Sequence, residues 1–83
     1  MNYQFIRYNL EEIEEELALL LKKLRFKQEV PEAELGRAVR HITHHINIAW
    51  NARKASQTDV DRASQSDLEA WAQYPKDLGL MKF

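Results

Sequence analysis

The apolar residues between Asn9 and Gln28 recur at alternating intervals of three and four positions. This spacing places them on one side of an α-helix, as at the a and d positions of a coiled coil. The stripe consists of Leu10, Ile13, Leu17, Leu20, Leu24 and, at its edge, Leu21. A helix with such a stripe is not stable alone in water, so the sequence predicts that another part of the chain, or another chain, covers it.

We predict that the first helix spans residues 9–28, with Asn9 as its N-cap and Glu12 at the third helical position. Asparagine is a favoured N-cap, and a glutamate at that position is typical of a capping box. Residues 1–8 are then expected to be an extended lead-in that covers one end of the core. The alternative is a helix that begins near Asn2, since the apolar spacing continues upstream.

A second helix is predicted over residues 31–55. Pro31 disfavours a helical conformation at the preceding residue and fits the first position of a helix. Its apolar stripe has the same spacing and consists of Leu35, Val39, Ile42, Ile46 and Ala49. Two such helices joined by a short connection are expected to form an antiparallel hairpin.

The remainder of the chain is predicted to add one short helix. Residues 56–65 are polar and are expected to form a loop. Ser66 is expected to cap a helix over residues 66–74, which Pro75 ends. The apolar residues of the tail, residues 75–83, are expected to fold back onto the hairpin.

Length and composition exclude several classes of protein. The 83 residues suffice for one domain, residues 1–83, of a size at which a single core often needs a staple or a partner. The lack of cysteine excludes disulfides and thiolate metal sites and suits a reducing cytoplasm. The net charge of −1 argues against nucleic-acid binding, and no apolar run is long enough to predict a membrane span.

The segment RHITHH contains a candidate metal site. His41 and His45 are one helical turn apart, a spacing that allows two imidazoles to bind one zinc or copper ion. A glutamate of the first helix could be the third ligand, whereas His44 points mostly to the opposite face. Since thiolates and an HExxH pattern are missing, we prefer two hydrogen-bonded histidines at the edge of the core and predict no cofactor.

A second candidate site lies at the end of the second helix. Trp50, Asn51 and Arg53 are close together there, and Trp71 is expected nearby. Arg53 falls in line with the apolar stripe and needs a partner, which could be Glu11, Glu14 or a backbone carbonyl of the lead-in. The residues could bind a small ligand. We prefer a salt bridge that closes the end of the bundle, with Trp50 stacked either on the arginine or on Trp71.

Three apolar residues lie away from the two stripes. Leu19 and Phe26 are seven positions apart and roughly opposite the stripe of the first helix, and Ile48 is far from that of the second. We expect them to form a second apolar face, covered by the C-terminal segment or by another chain. The favoured arrangement is a homodimer in which two hairpins form a four-helix bundle.

The sequence contains neither a nucleophile elbow nor a phosphate-binding glycine loop, so we expect no enzymatic activity. The predicted function is a small cytoplasmic protein-interaction or regulatory module that works through an apolar helix face. Two alternatives are kept: a metal-binding bundle through His41 and His45, and a small-ligand binder at Trp50 and Arg53.

Overall fold

The computed structural model describes residues 1–82, which form four helices and no strand. The helices are α1 (Tyr3–Arg25), α2 (Glu32–Asn51), α3 (Gln57–Asp61) and α4 (Gln65–Trp71). The two long helices, α1 and α2, pack against each other, and α4 contacts α2. The predicted all-α class is thereby confirmed, together with the pair of long helices and the short C-terminal helix.

Helix α1 begins well before the predicted start. Asn2, not Asn9, is the N-cap, and its Oδ1 accepts a hydrogen bond from the Phe5 backbone N–H (3.0 Å). Asn2 also donates from its backbone to the Arg53 carbonyl (2.7 Å) and from Nδ2 to the Ala55 carbonyl (3.1 Å). The prediction of an extended lead-in was wrong because Asn2 has these tertiary partners, which sequence alone does not reveal. The same contacts place the start of α1 beside the end of α2, so the two helices run in opposite directions.

The other ends of the long helices also differ from the prediction. Helix α1 stops at Arg25 because Lys27 adopts a left-handed conformation, with φ at 56°, and turns the chain. Helix α2 begins at Glu32 and stops at Asn51, short of the predicted residue 55. The carbonyl of Arg53 bonds to the start of α1 instead of continuing the helix.

The segment predicted as a loop followed by a helix forms two short helices, each opened by a capping box. Ser56 caps α3, where the Asp59 side chain bonds back to the backbone of the serine. Ser64, not Ser66, caps α4, because the short Asp67 side chain reaches the Ser64 backbone N–H (3.0 Å). Both are serine–aspartate capping boxes with the spacing that favours a helix start.

The C-terminal tail packs on the rest of the molecule only in part. Asp77 accepts a hydrogen bond from the Trp50 indole (3.0 Å). Leu80 and Met81 are both 87% exposed, so the predicted docking is wrong for these two side chains. Phe83, which belonged to the same prediction, lies outside the described residues.

The core between α1 and α2 is small. Its buried apolar residues are Ile13, Leu20, Ala38, Ile48, Ala49 and Ala52. At about 100° per residue, the buried side of α2 is rotated by roughly 80° from the stripe that the sequence indicates. The rotation brings Ile48 into the core, where it is 5% exposed, so the prediction that Ile48 belongs to an exposed interface was wrong.

Replacement of Gly36 by alanine is expected to stabilise the protein. Gly36 lies inside α2, and a Cβ built there meets nothing within 4 Å. Gly36→Ala should therefore raise the free energy of unfolding by about 1 kcal/mol through helix propensity. Urea unfolding followed by circular dichroism measures the change, and no gain would indicate that another chain approaches the backbone at this position.

Replacement of Asn2 by alanine should destabilise the protein by about 1 kcal/mol or more, because α1 loses its cap. Asn2→Asp is the matched control, since it keeps the oxygen that accepts from the Phe5 N–H. The same urea experiment measures both variants. If the Asn2→Ala variant were as stable as the wild type, Asn2 would not be the N-cap of α1, and a helix start at Asn9 would be favoured.

Candidate functional site

The packing of α1 on α2 gives the helix pair a polar side and an apolar side. On the polar side, Lys23 pairs with Glu34, and Glu16 pairs with both Arg37 and His41. We call this side the polar face. The other flank of each helix carries large aliphatic side chains, which are described below as the apolar face.

Glu16 lies at the centre of the polar face and is buried. Its Oε1 accepts hydrogen bonds from Nη1 of Arg37 (2.9 Å) and from Nδ1 of His41 (3.0 Å). The bond from Arg37 and then that from His41 lower the pKa of Glu16, so it is a carboxylate at neutral pH. Sequence reasoning missed this residue, because five glutamates crowd the first half of α1 and only packing distinguishes the buried one.

The two histidines selected from the sequence lie side by side on this face. Nε2 of His41 and Nε2 of His45 are 3.1 Å apart, and the two rings are nearly perpendicular. Glu12 of α1 is the third member of the cluster, with its Oε2 3.8 Å from Nε2 of His41. One ligand atom from each of these three residues lies within 4.8 Å of the others. His44 is exposed and contributes no ligand atom to the cluster, although its ring packs edge-on against that of His45, with 5.1 Å between the ring centres.

Asn9 fixes the orientation of His45. Nδ1 of His45 is 2.8 Å from Oδ1 of Asn9, and Nδ2 of Asn9 donates to the Phe5 carbonyl (2.8 Å). Asn9 is fully buried and lies inside α1, so its side chain contacts His45 and caps no helix. Burial, followed by the charges of His41 and His44, lowers the pKa of His45, so its imidazole is neutral at pH 7.

The end of α2 borders an apolar groove of about 620 Å³, whose lining includes Ile6, Ile46, Ala49, Trp50, Arg53 and Tyr74. The guanidinium of Arg53 stacks over Trp50 at 3.8 Å from the ring centre and donates to the Trp50 carbonyl (2.8 Å). Its Nη2 is 3.7 Å from a carboxylate oxygen of Asp77. The predicted stacking is present, but the acidic partner comes from the tail and not from α1.

Asn51 and Trp71 have a different role from Trp50 and Arg53. Nδ2 of Asn51 donates to the Trp71 carbonyl (2.8 Å) and to the Gln73 carbonyl (2.8 Å). These bonds attach the end of α4 to α2. The four residues proposed as one ligand site are thus divided, with Trp50 and Arg53 on the groove and the other pair in the α2–α4 connection.

The three residues predicted as an interface do not share a surface. Leu19 is 58% exposed and Phe26 71% exposed, whereas Ile48 is in the core. The larger exposed apolar surface is the apolar face, whose seven side chains are 40–58% exposed. Its members are Leu10, Leu17, Leu21, Leu24, Leu35, Val39 and Ile46.

The members of the apolar face lie on the same side of the helix pair. Each residue turns about 100° around the helix axis. Viewed along each helix from its N-terminus, the members of the apolar face are rotated away from the buried residues in the same direction in α1 and in α2. For antiparallel helices that direction means the same side, and the charged contacts occupy the opposite flank of both. The groove agrees with this geometry, because Ile6 of α1 and Ile46 of α2 both line it. No charged side chain of either helix falls within this strip.

Comparison of the chain with protein-family models, with curated proteins and with solved structures gives no match. Among residues 1–82, none of the helices has the length and apolar character needed to cross a membrane. The features of the molecule that bear on its function are therefore the polar face, the apolar face and the groove.

Loss of the Asp77 contact is expected to change the environment of Trp50. The indole N–H bond lowers the pKa of Asp77 below its usual 3.8, so the contact persists as the pH falls and is lost only below that value. In a Trp71→Phe background, tryptophan emission should report this step as a red shift. Asp77→Asn should remove the step, and a step of equal size in this variant would contradict the assignment.

Proposed function

We propose that the protein is a helical interaction module that associates with itself, two copies forming a four-helix bundle through their apolar faces. The single observation that carries the proposal is the exposed aliphatic surface on one side of the α1–α2 pair. No catalytic activity is included in the proposal. The proposed location is the cytoplasm, supported by the lack of cysteine alone.

The accessible surface area and the radius of gyration both indicate that part of the apolar core is left uncovered in a single chain. The accessible surface is 6828 Å², against about 5,200 Å² for a compact monomer of this mass. The radius of gyration is 14.7 Å, against about 12 Å for a compact chain of this length. Two packed helices form a single layer, and a second layer would bring both quantities towards their usual values.

The size of the apolar face fits an interface between two copies. Its seven side chains together expose roughly 600 Å², which is at the upper limit of patches on ordinary monomers. Pairing two such faces would bury roughly 1,200 Å², the lower limit of the range for stable interfaces. The absence of charge within the strip is typical of obligate interfaces, which resemble a core divided in half.

The distribution of charge along α1 favours a second copy of this chain as the partner. On the border of the apolar face, the first half of α1 carries Glu14 and the second half carries Arg25, while Arg7 pairs with Glu11. When a twofold axis runs across the helices, α1 of one copy lies antiparallel to α1 of the other. Glu14 of each copy then faces the half of the other α1 that carries Arg25, so the border of the surface is complementary to itself.

The groove at the end of α2 is better explained as part of this interface than as a site for a small ligand. Ile46 belongs to both the groove and the apolar face, so the two surfaces are continuous. The guanidinium of Arg53, which would bind an anion, already contacts Trp50 and Asp77. A second copy that covers the apolar face would extend over the groove.

A matched pair of leucine variants tests the proposal. Leu17 belongs to the apolar face, whereas Leu19 is also exposed but lies beside the polar face, next to Glu16 and Arg37. Leu17→Glu should yield a monomer because a charge would be buried in the bundle. Leu19→Glu should keep the doubled mass of the wild type. Light scattering over a range of protein concentrations measures the mass, and circular dichroism verifies that both variants remain helical.

The reverse result would contradict the proposed interface. If Leu19→Glu were a monomer and Leu17→Glu a dimer, the interface would lie on the surface formed by Leu19 and Phe26. A wild-type chain that remains monomeric at all concentrations would reject self-association. Val39→Glu, on α2, repeats the test if the first variant fails to fold.

A further inference from the structure

We infer that the polar face holds a divalent transition-metal ion of the zinc type, bound by Glu12, His41 and His45. This site lies on the opposite side of the helix pair from the apolar face, and all three ligands belong to one chain. It follows from the hydrogen bonds that determine where the imidazole protons lie.

The hydrogen bonds of Asn9 determine the tautomer of His45. Nδ2 of Asn9 donates to the Phe5 carbonyl, so the Oδ1 of the same amide faces His45. An amide oxygen only accepts hydrogen bonds, and Nδ1 of His45 must therefore carry the proton. With the proton on Nδ1, Nε2 of His45 is the nitrogen whose lone pair can bind a metal ion.

His41 is oriented in the same way. Its Nδ1 is 3.0 Å from Oε1 of Glu16, and both oxygens of Glu16 accept hydrogen bonds from Arg37, so Glu16 acts as an acceptor. Nδ1 of His41 therefore carries a proton, and Nε2 is the nitrogen left to bind a metal ion. The two Nε2 atoms lie 3.1 Å apart, so one cation could bind both of them.

The distances fit a metal ion. Zinc binds imidazole nitrogen at about 2.0–2.1 Å, and tetrahedral geometry then sets two such nitrogens about 3.3 Å apart. The observed 3.1 Å separation requires little adjustment. The Glu12 oxygen, 3.8 Å from Nε2 of His41, is on a half-buried side chain that can rotate closer. Three protein ligands leave the fourth coordination position to water or to a further ligand.

The groups behind the ligands are those that metal sites use. A metal-binding histidine commonly donates its second ring N–H to a carboxylate or a carbonyl oxygen, which fixes the tautomer and the ring. Glu16 has this role for His41, and Asn9 has it for His45. Two imidazoles with one carboxylate favour zinc, cobalt, nickel or copper over magnesium or calcium, which prefer oxygen ligands.

The test is a zinc titration of the metal-free full-length chain at neutral pH, in competition with a chromophoric chelator. The expected result is one zinc ion bound per chain. Glu12→Gln and His45→Gln should each lower the affinity at least tenfold, the minimum expected when a ligand is lost. The matched controls are Glu15→Gln and His44→Gln, exposed residues of the same types, which should remain within about twofold of the wild type.

A second readout distinguishes a built site from surface binding. Cobalt added in place of zinc should give the intense visible bands of tetrahedral coordination, and magnesium should not compete. The monomeric Leu17→Glu variant should keep the same stoichiometry, because all three ligands belong to one chain.

Three results would overturn the inference: no zinc binding by the wild type, equal losses in the controls, or an octahedral cobalt spectrum. In those cases the contact between the two rings would be a hydrogen bond between the histidines and not a metal site. If His45→Gln does not fold, Glu12→Gln decides the question, since Glu12 is half-buried and its removal leaves the core intact.

Discussion

One neighbouring helix is too narrow to cover the apolar stripe of α1, and this constraint determines the rest of the structure. A helix of this kind needs cover over more than about 100° of its circumference, but one partner contacts only part of that width. The two helices meet along the edge of their stripes, where Asn9 and Glu16 of α1 are buried beside Ala38 and Ala49 of α2. The aliphatic remainder of both stripes is left on one side of the pair.

The polar contacts on the other side specify this arrangement. Glu16 is buried, so it requires its bonds to Arg37 and His41, and those bonds form only when α2 is rotated towards them. A rotation that removed both partners would leave the buried charge of Glu16 unpaired, which is strongly destabilising. Small alanines let the helices approach closely enough for the network to close. The polar network thus selects one rotation of the helices from several that hydrophobicity alone would allow.

The helices could be predicted from the sequence, whereas the rotation of α2 about its own axis could not. Spacing of three and four predicted both long helices, Pro31 marked the start of α2, and the i, i+4 spacing of His41 and His45 brought the two rings together. The apolar spacing places the centre of the core at the centre of each stripe, and this prediction is wrong for Ile48, which is buried away from the stripe. Asn9, with Glu12 at the third helical position, has the stronger local signal as a cap, and only the tertiary partners of Asn2 identify Asn2 as the cap. Glu16 could not be distinguished from the neighbouring glutamates by sequence, because only its tertiary contacts set it apart.

The candidate metal site and the apolar face are linked because both depend on this one rotation. A cation bound by Glu12, His41 and His45 would join α1 to α2 across the polar face and would hold the aliphatic side chains on the opposite side in one surface. Association through that surface would in turn hold the histidines and the glutamate at ligand distance. If the two events are coupled, thermodynamic linkage requires the effect to be equal in both directions. A small chain without disulfides could thus use a metal ion on one side to stabilise the surface that it presents on the other.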